Sequence, residues 1–191
     1  ETFPALNEHF KQYLNTNGTG KSKGLTERED MGDYWWELRP CDYYPEFEKE
    51  KIVWQEIVYE PRFCYDTSKT YVEASGFIMT GRNITYVCGL LNSMPVSLFF
   101  KLFYAGGGLG EQGYRYKKAF LERLPLPPPT PQNQPIVSQI EDLVKQITQT
   151  KKTLGCSADT SELEIKIDQL VYQLYGLTEE EIKLIENSGI S

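Results

Sequence analysis

An α+β fold is what these 191 residues predict: a mixed, mostly antiparallel sheet with packed helices, followed by a C-terminal, coiled-coil-like helical hairpin. Three observations carry that expectation. β-rich runs crowd residues 34–88. The apolar period turns helical at Ile84. Beyond a proline run, apolar residues recur on alternating three- and four-residue steps.

Taken in order, Pro4–Asn15 is a short helix candidate, with Leu6, Phe10 and Leu14 as its apolar residues. Asn15–Gly24 is rich in Gly, Thr and Lys and reads as a mobile loop. Lys51–Val58 and Phe63–Asp66 are strand candidates with Glu60-Pro-Arg62 as a turn between them, and Gly76–Thr80 is a further strand closed by Gly81. Ile84, Val87, Cys88 and Leu91 recur at helical spacing, and Pro95 suits the first turn of a second helix running to about Tyr104. Leu90, Leu91, Leu98, Phe99, Leu102 and Phe103 are expected to anchor these helices to the sheet. Asn92, in that apolar setting, is expected to cap or turn the chain.

Tyr114–Leu124 reads as extended, and Leu124–Pro131 as a stiff polyproline segment. Ile136, Ile140, Leu143, Ile147, Thr150 and Leu154 then form one seam, and Leu163, Ile167, Leu170, Leu174 and Leu177 a second. Gly155–Ser157 breaks between them, so the two helices fold back as a hairpin. Asp159-Thr-Ser-Glu162 and Thr178-Glu-Glu-Glu181 are capping boxes for the second helix and for a last short one. The expected organisation is a body over 1–127 (1–33 being the first helix and mobile loop), a Pro-rich linker over 128–134, and helices over 135–191.

Hydrophobic residues make up 40% and charged residues 25%, which fits a folded soluble domain and excludes a disordered one. The longest apolar run, Met94–Ala105, is interrupted by Lys101 and is too short to span a membrane. With no initiator Met and no signal sequence, the chain is expected to be a piece of a longer protein. Cys41, Cys64, Cys88 and Cys156 form no C-x-x-C, so free thiols in a reducing cytoplasm are expected. The net charge of −7 is uneven. Residues 1–124 carry 15 Lys and Arg against 17 Asp and Glu, a balance of −2; residues 125–191 carry 5 against 10, a balance of −5. Binding to a polyanion therefore needs local cationic clusters in the body.

Gly108-Leu-Gly-Glu-Gln-Gly113 fits G-x-G-x-x-G, but a dinucleotide loop follows a strand and opens a helix, and here the order is reversed. Gly18-Thr-Gly-Lys-Ser22 echoes a P-loop, yet Asn15 stands where its first glycine belongs. His9 is the one histidine, so a triad or a His-based metal site has no material. Glu164-Ile-Lys166 and Glu181-Ile-Lys183 have local nuclease-like spacing but lie in tail helices with no Pro-Asp upstream. These residues leave non-covalent recognition. Arg62, Tyr65, Lys69, Tyr71, Arg82, Asn83, Tyr114, Arg115, Tyr116, Lys117 and Lys118 fall in predicted loops and strand ends. Arg pairs with guanine and Asn with adenine, while Lys and Tyr hold phosphates. Arg82 and Arg115 are the first candidates for base or phosphate contact, and Lys117 and Lys118 for phosphate.

Tyr34-Trp-Trp-Glu-Leu-Arg39, then Phe47 and Lys51-Ile-Val-Trp-Gln-Glu-Ile57, resembles the TaqI-like C-terminal specificity domain of type II restriction–modification enzymes and their fused adenine methyltransferases. Gly76-Phe-Ile-Met-Thr-Gly81 and Leu90-Leu-Asn-Ser93 are similar to that family's middle signature. Phe120-Leu-Glu-Arg-Leu-Pro-Leu-Pro127 followed by Ile136-Val-Ser-Gln-Ile140 also resembles the exit of type I specificity subunits, and Asp168–Gly176 followed by Leu177–Glu181 the end of the same enzymes. The resemblance implies a target-recognition domain for double-stranded DNA, serving methyltransferase or nuclease domains of a parent chain. No Asn-Pro-Pro-Tyr and no S-adenosylmethionine loop occur, so this segment itself is expected to be non-enzymatic and to hold no cofactor. S-adenosylmethionine, and Mg2+ for a parent that cleaves, would belong to the larger enzyme. A protein-assembly module using the acidic helical tail is the alternative.

Overall fold

The computed structural model describes residues 3–14, 24–29, 31–37, 42–73, 75–104 and 113–188. It forms two units, Glu1–Pro45 and Glu46–Ser191. Most of the expected mobile loop over 15–24, including the P-loop echo, Arg39 and Cys41, and most of the G-x-G-x-x-G stretch lie outside the described residues.

In the first unit, α1 covers Pro4–Lys11, four residues shorter than the expected helix, with Pro4 in its first turn. Its apolar side is not buried: Leu6 is 53% and Phe10 38% exposed. Further on, the Arg28 guanidinium donates to the carbonyl oxygens of Trp35 (3.3 Å) and Glu37 (2.6 Å), holding the turn over which Tyr34 stacks on Trp36 at 4.7 Å.

The second unit follows the single turn α2 (Tyr44–Phe47). Its strands are β1 (Lys51–Gln55), β2 (Ile57–Val58), β3 (Cys64–Asp66), β4 (Gly76–Met79) and β5 (Tyr114–Arg115). β1 is the centre of an antiparallel sheet ordered β3-β1-β4, and β2 pairs with β5 in a second, two-stranded sheet. The run 51–58 was expected as one strand. It breaks at Glu56, whose backbone N–H bonds Ser75 and whose carbonyl accepts from Tyr116, so the chain passes from one sheet to the other.

α3 (Ile84–Asn92) and α4 (Met94–Phe103) confirm the period change and the role of Pro95. They meet at 68° across Ser93, whose hydroxyl donates to the Leu90 carbonyl. Among the described residues no single helix is long and apolar enough to cross a membrane. Asn92 does hold structure: its amide donates to the carbonyls of Phe63 (2.8 Å) and Cys88 (3.0 Å), and its oxygen accepts the Phe63 N–H (3.0 Å). That clamp joins α3 to the segment entering β3. Asn92→Ala strands the Phe63 N–H and leaves its carbonyl only the weak Cys88 thiol donor at 3.3 Å, and should cost about 1–3 kcal/mol in urea unfolding.

Tyr114–Leu124 is not one extended run. After β5 the chain forms the helical turn α5 (Lys118–Leu121), which buries Leu121. The proline run is tied to the body, since Tyr175 and Tyr86 donate hydroxyl hydrogen bonds to the Pro125 and Pro127 carbonyls. α6 (Gln134–Leu154), α7 (Ser161–Tyr175) and α8 (Glu179–Glu186) complete the fold. The expected capping box of α8 is present: Thr178 accepts the Glu181 N–H, and the Glu181 carboxylate accepts the Thr178 N–H. At α7 it is the Asp159 carboxylate that accepts the Ser161 N–H.

α6 and α7 fold back on each other, with Lys151 near Glu164 at 3.3 Å, but the pair packs along α3 instead of projecting from the body. The seam expected on α6 is only half of its buried surface. Val137, Ile140 and Val144 are the fully buried residues, while Leu143 and Ile147 are partly buried and Leu154 is 72% exposed. The approach to α3 is closest at Gly89, where an added Cβ would lie 2.5 Å from Ile140 Cγ2.

On α4 the buried face is Val96, Ser97 and Phe100. Leu102 and Phe103, expected to anchor the helix, are 65% and 66% exposed. Leu102 is turned away, since four-residue steps from Val96 and Phe100 continue to Tyr104, and Phe103 is the last residue of the helix.

The N–H of Met94, at the start of α4, donates to the Asp168 carboxylate of α7 at 2.7 Å. Burial pushes the Asp168 carboxyl up to about 6, against the pull of that hydrogen bond, and Glu164 and Glu186 push the same way as burial. An acid whose pKa rises on folding stabilises the fold below its unfolded value near ~4, and that contribution is lost as pH climbs through about 6. Asp168→Asn keeps an acceptor without the charge. It should raise stability above pH 7 by about 2–3 kcal/mol and remove this loss between pH ~4 and ~7, read from urea unfolding at several pH values.

Candidate nucleic-acid interface

β1 runs antiparallel to both β3 and β4, so those two strands end on the same side of the sheet. Lys69 follows β3 there, and Arg82 and Asn83 follow β4. The Asp66 carboxylate shapes the first loop by accepting the N–H groups of Ser68 (2.9 Å) and Thr70 (3.3 Å). Lys69 and Asn83 both take the left-handed backbone conformation, with φ of 58° and 55°. That conformation is ordinary for Asn and costly for Lys. Asn83 caps α3 by position but makes no side-chain cap hydrogen bond.

The other candidates start from the opposite end of the sheet. Arg62 precedes β3, and Arg115 stands opposite Ile57 in the β2–β5 pair, with Tyr114 opposite Val58. Lys117 and Lys118 follow directly. Gly113 is the last glycine of the G-x-G-x-x-G pattern, and it has a local reason. At φ 93° its absent Cβ would lie 2.7 Å from the Val58 carbonyl oxygen, so the close approach is to β2.

Tyr116 departs from its expected role. It is 2% exposed, stacks on Phe100 at 4.2 Å and 8°, and accepts the Trp54 indole N–H at its carbonyl. Burial pushes its phenol up to about 12. The alternation of β5 turns this ring into the core and leaves Arg115 outside. Tyr114 is half-buried, with the Lys101 ammonium 5.2 Å from its ring centroid. Lys101 was not among the sequence candidates, because nothing at helix spacing signals a ring on a distant strand. Tyr65 and Tyr71 are both engaged locally, donating to Glu50 (2.7 Å) and Glu48 (3.1 Å).

Three cations are already paired with carboxylates: Lys69 with Glu48 (3.0 Å), Arg115 with Glu56 (3.5 Å) and Lys118 with Glu122 (3.6 Å). Among the described residues, Arg62, Arg82 and Lys117 are exposed and form no such pair. Exposed pairs of this kind contribute only ~0–1 kcal/mol, so a phosphate can replace the carboxylate at small cost. The candidates thus divide into two cationic groups towards opposite ends of β1, which at the usual rise spans about 17 Å over its five residues. Among the described residues, His9 of α1 lies beside Gln12, Phe10 and Tyr13. Of the described cysteines, Cys64 and Cys156 are exposed and Cys88 is buried, its thiol pushed up to about 12 by burial. No group of three or more His, Cys, Asp or Glu among the described residues is arranged to hold a metal ion.

A search of curated proteins returned no match. The family model of the TaqI-like C-terminal specificity domain matches residues 7–126, which spans both units up to the proline run. Such domains supply DNA sequence specificity to restriction–modification enzymes. With the match covering well over half of the sequence, the chain belongs to the TaqI-like C-terminal specificity domain family.

Proposed function

We propose that this domain reads base sequence in double-stranded DNA for a type II restriction–modification enzyme, one that carries an adenine-specific methyltransferase, an endonuclease or both. The observation that carries this reading is the pair of cationic groups towards opposite ends of β1, one in the loops after β3 and β4 and one around Arg62 and the β2–β5 pair. β1 alone spans about 17 Å, more than the ~12 Å width of the major groove, so the lysines of each group can reach phosphates while arginine and asparagine of the same groups turn to base edges. Arg82, Asn83 and Arg115 have the donor geometry for bases; Arg62, Lys69, Lys117 and Lys118 suit phosphates. Tyr114 packs between these roles, steadied by Lys101.

In this reading the domain does no chemistry. It holds the duplex while a methyltransferase domain of the parent chain, working in the cytoplasm, flips the target adenine out of the stack. S-adenosylmethionine, and Mg2+ for a parent that cleaves, are assigned in this reading to those other domains.

Arg115→Ala tests the assignment. If Arg115 reads guanine, the variant should lose about 1–3 kcal/mol on the preferred duplex and relax preference at one base pair. Equal weakening on every duplex makes it a phosphate contact, and unchanged binding removes it from the interface. Glu56→Gln, which frees Arg115 of its carboxylate, should tighten binding. Affinity should also fall with salt at a slope of about −0.9 per phosphate neutralised.

A further inference from the structure

A second surface of the body has a different character. Pro95, Leu98, Phe99 and Leu102 of α4 face Leu177 and Ile185 beside and on α8, across an apolar groove of about 230 Å³. Leu102 and Phe103 stand open at its rim, and Leu184 on α8 is 73% exposed. Scattered apolar residues are ordinary on a surface, but a contiguous strip along two helices is a mark of an interaction site.

The charges around the groove select what fits it. α8 carries Glu179, Glu180, Glu181 and Glu186 against Lys183 alone, and Glu186 lies close enough to Asp168 of α7 to disfavour ionisation of Asp168. Arg123 lies next to Leu124. Lys101 of α4 is directed elsewhere, over the Tyr114 ring. An apolar groove with one wall on an acidic helix disfavours a nucleic acid and a second copy of the same face. It attracts an apolar helix face flanked by basic residues, the complement in both shape and charge. We propose that the α4–α8 groove docks an amphipathic helix of a partner polypeptide that carries Lys or Arg beside its apolar stripe.

This does not rest on the DNA reading, and the two fail separately. The test uses the full chain and a fluorescein-labelled peptide of about 18 residues made of Leu and Lys, with Leu at i, i+3, i+4 and i+7. A control peptide has Glu in place of Lys. The Leu/Lys peptide should bind and gain helicity, and the Leu/Glu peptide should not bind. Leu102→Asp/Phe103→Asp, or Phe103→Asp alone, should weaken binding by about tenfold or more, although each adds negative charge that would strengthen a merely electrostatic attraction. Both side chains are exposed, so the melting temperature should stay unchanged. Duplex DNA binding should also be unaffected. The proposal is overturned if wild type does not bind the Leu/Lys peptide, if both peptides bind alike, or if the Asp variants bind as well as wild type.

Discussion

Asp66→Ala should cost about 3–5 kcal/mol of folding stability, more than any other single change to a charged residue here. Its partner is the reason. Lys51, at the start of β1, is 0% exposed, and the antiparallel register sets it opposite Asp66 on β3. The ammonium lies 2.7 Å from the Asp66 carboxylate and also donates to the Phe47 carbonyl at 2.9 Å. Removing Asp66 strands a buried cation. Removing Lys51 is milder, because Asp66 is 14% exposed and keeps the hydroxyl and N–H of Ser68 and the N–H of Thr70. Lys51→Met should therefore be less damaging than Asp66→Ala, and the double variant with Asp66→Leu less damaging still. Burial alone would push the Asp66 carboxyl up, but the hydrogen bonds from Lys51, Ser68 and Thr70 hold it well below the usual carboxylate range. That depressed value adds stability at pH above ~4, lost progressively as acid titrates the folded form. Asp66→Ala should flatten the acid limb of the stability curve, measured by urea unfolding from pH ~2 to ~7. The same carboxylate shapes the Lys69 loop, so the variant should also weaken DNA binding.

Ile140→Ala should cost about 2–5 kcal/mol, since Ile140 on α6 is 0% exposed and packs against α3 at Gly89. Gly89 makes this a sharper test. Mid-helix, alanine is favoured over glycine by ~1 kcal/mol. In wild type, though, the new methyl would meet Ile140 Cγ2 at 2.5 Å and Val144 Cγ2 at 3.2 Å, both on β-branched residues with stiff χ1. Overpacking of this kind costs about 1–3 kcal/mol, so Gly89→Ala should be destabilising on its own. In the Ile140→Ala background the obstructing methyl is gone, and Gly89→Ala should turn stabilising. A double-mutant cycle in urea reads the reversal directly. Additive effects would mean that α6 does not approach α3 at this point.

Local signals in the sequence carried over into the structure well. The period change at Ile84, Pro95 at the start of α4 and the Thr178–Glu181 box all depend on neighbours a few residues apart. What stayed hidden depends on register and on long-range packing. Lys51 reads as a solvated strand end until the ladder sets it against Asp66. Tyr116 reads as a loop aromatic until Glu56 breaks the strand and one residue of alternation turns the ring inward. Leu102 and Phe103 read as core because apolar character does not say which side of α4 meets the body. At the interface the cationic residues could be named from their chemistry, whereas Glu48, Glu56 and Glu122 could not be identified as their partners, because each pairing is a matter of tertiary or helical geometry. The split of the candidates between two ends of the sheet also follows from strand order alone.

Selection from a randomised duplex library by the full chain tests the central claim most directly. The account predicts enrichment of one short consensus, with affinity falling steeply as salt rises and with the preference at one position relaxed by Arg115→Ala or Arg82→Ala. Recovery of unenriched sequences, or binding that neither salt nor these arginine changes alter, would contradict it.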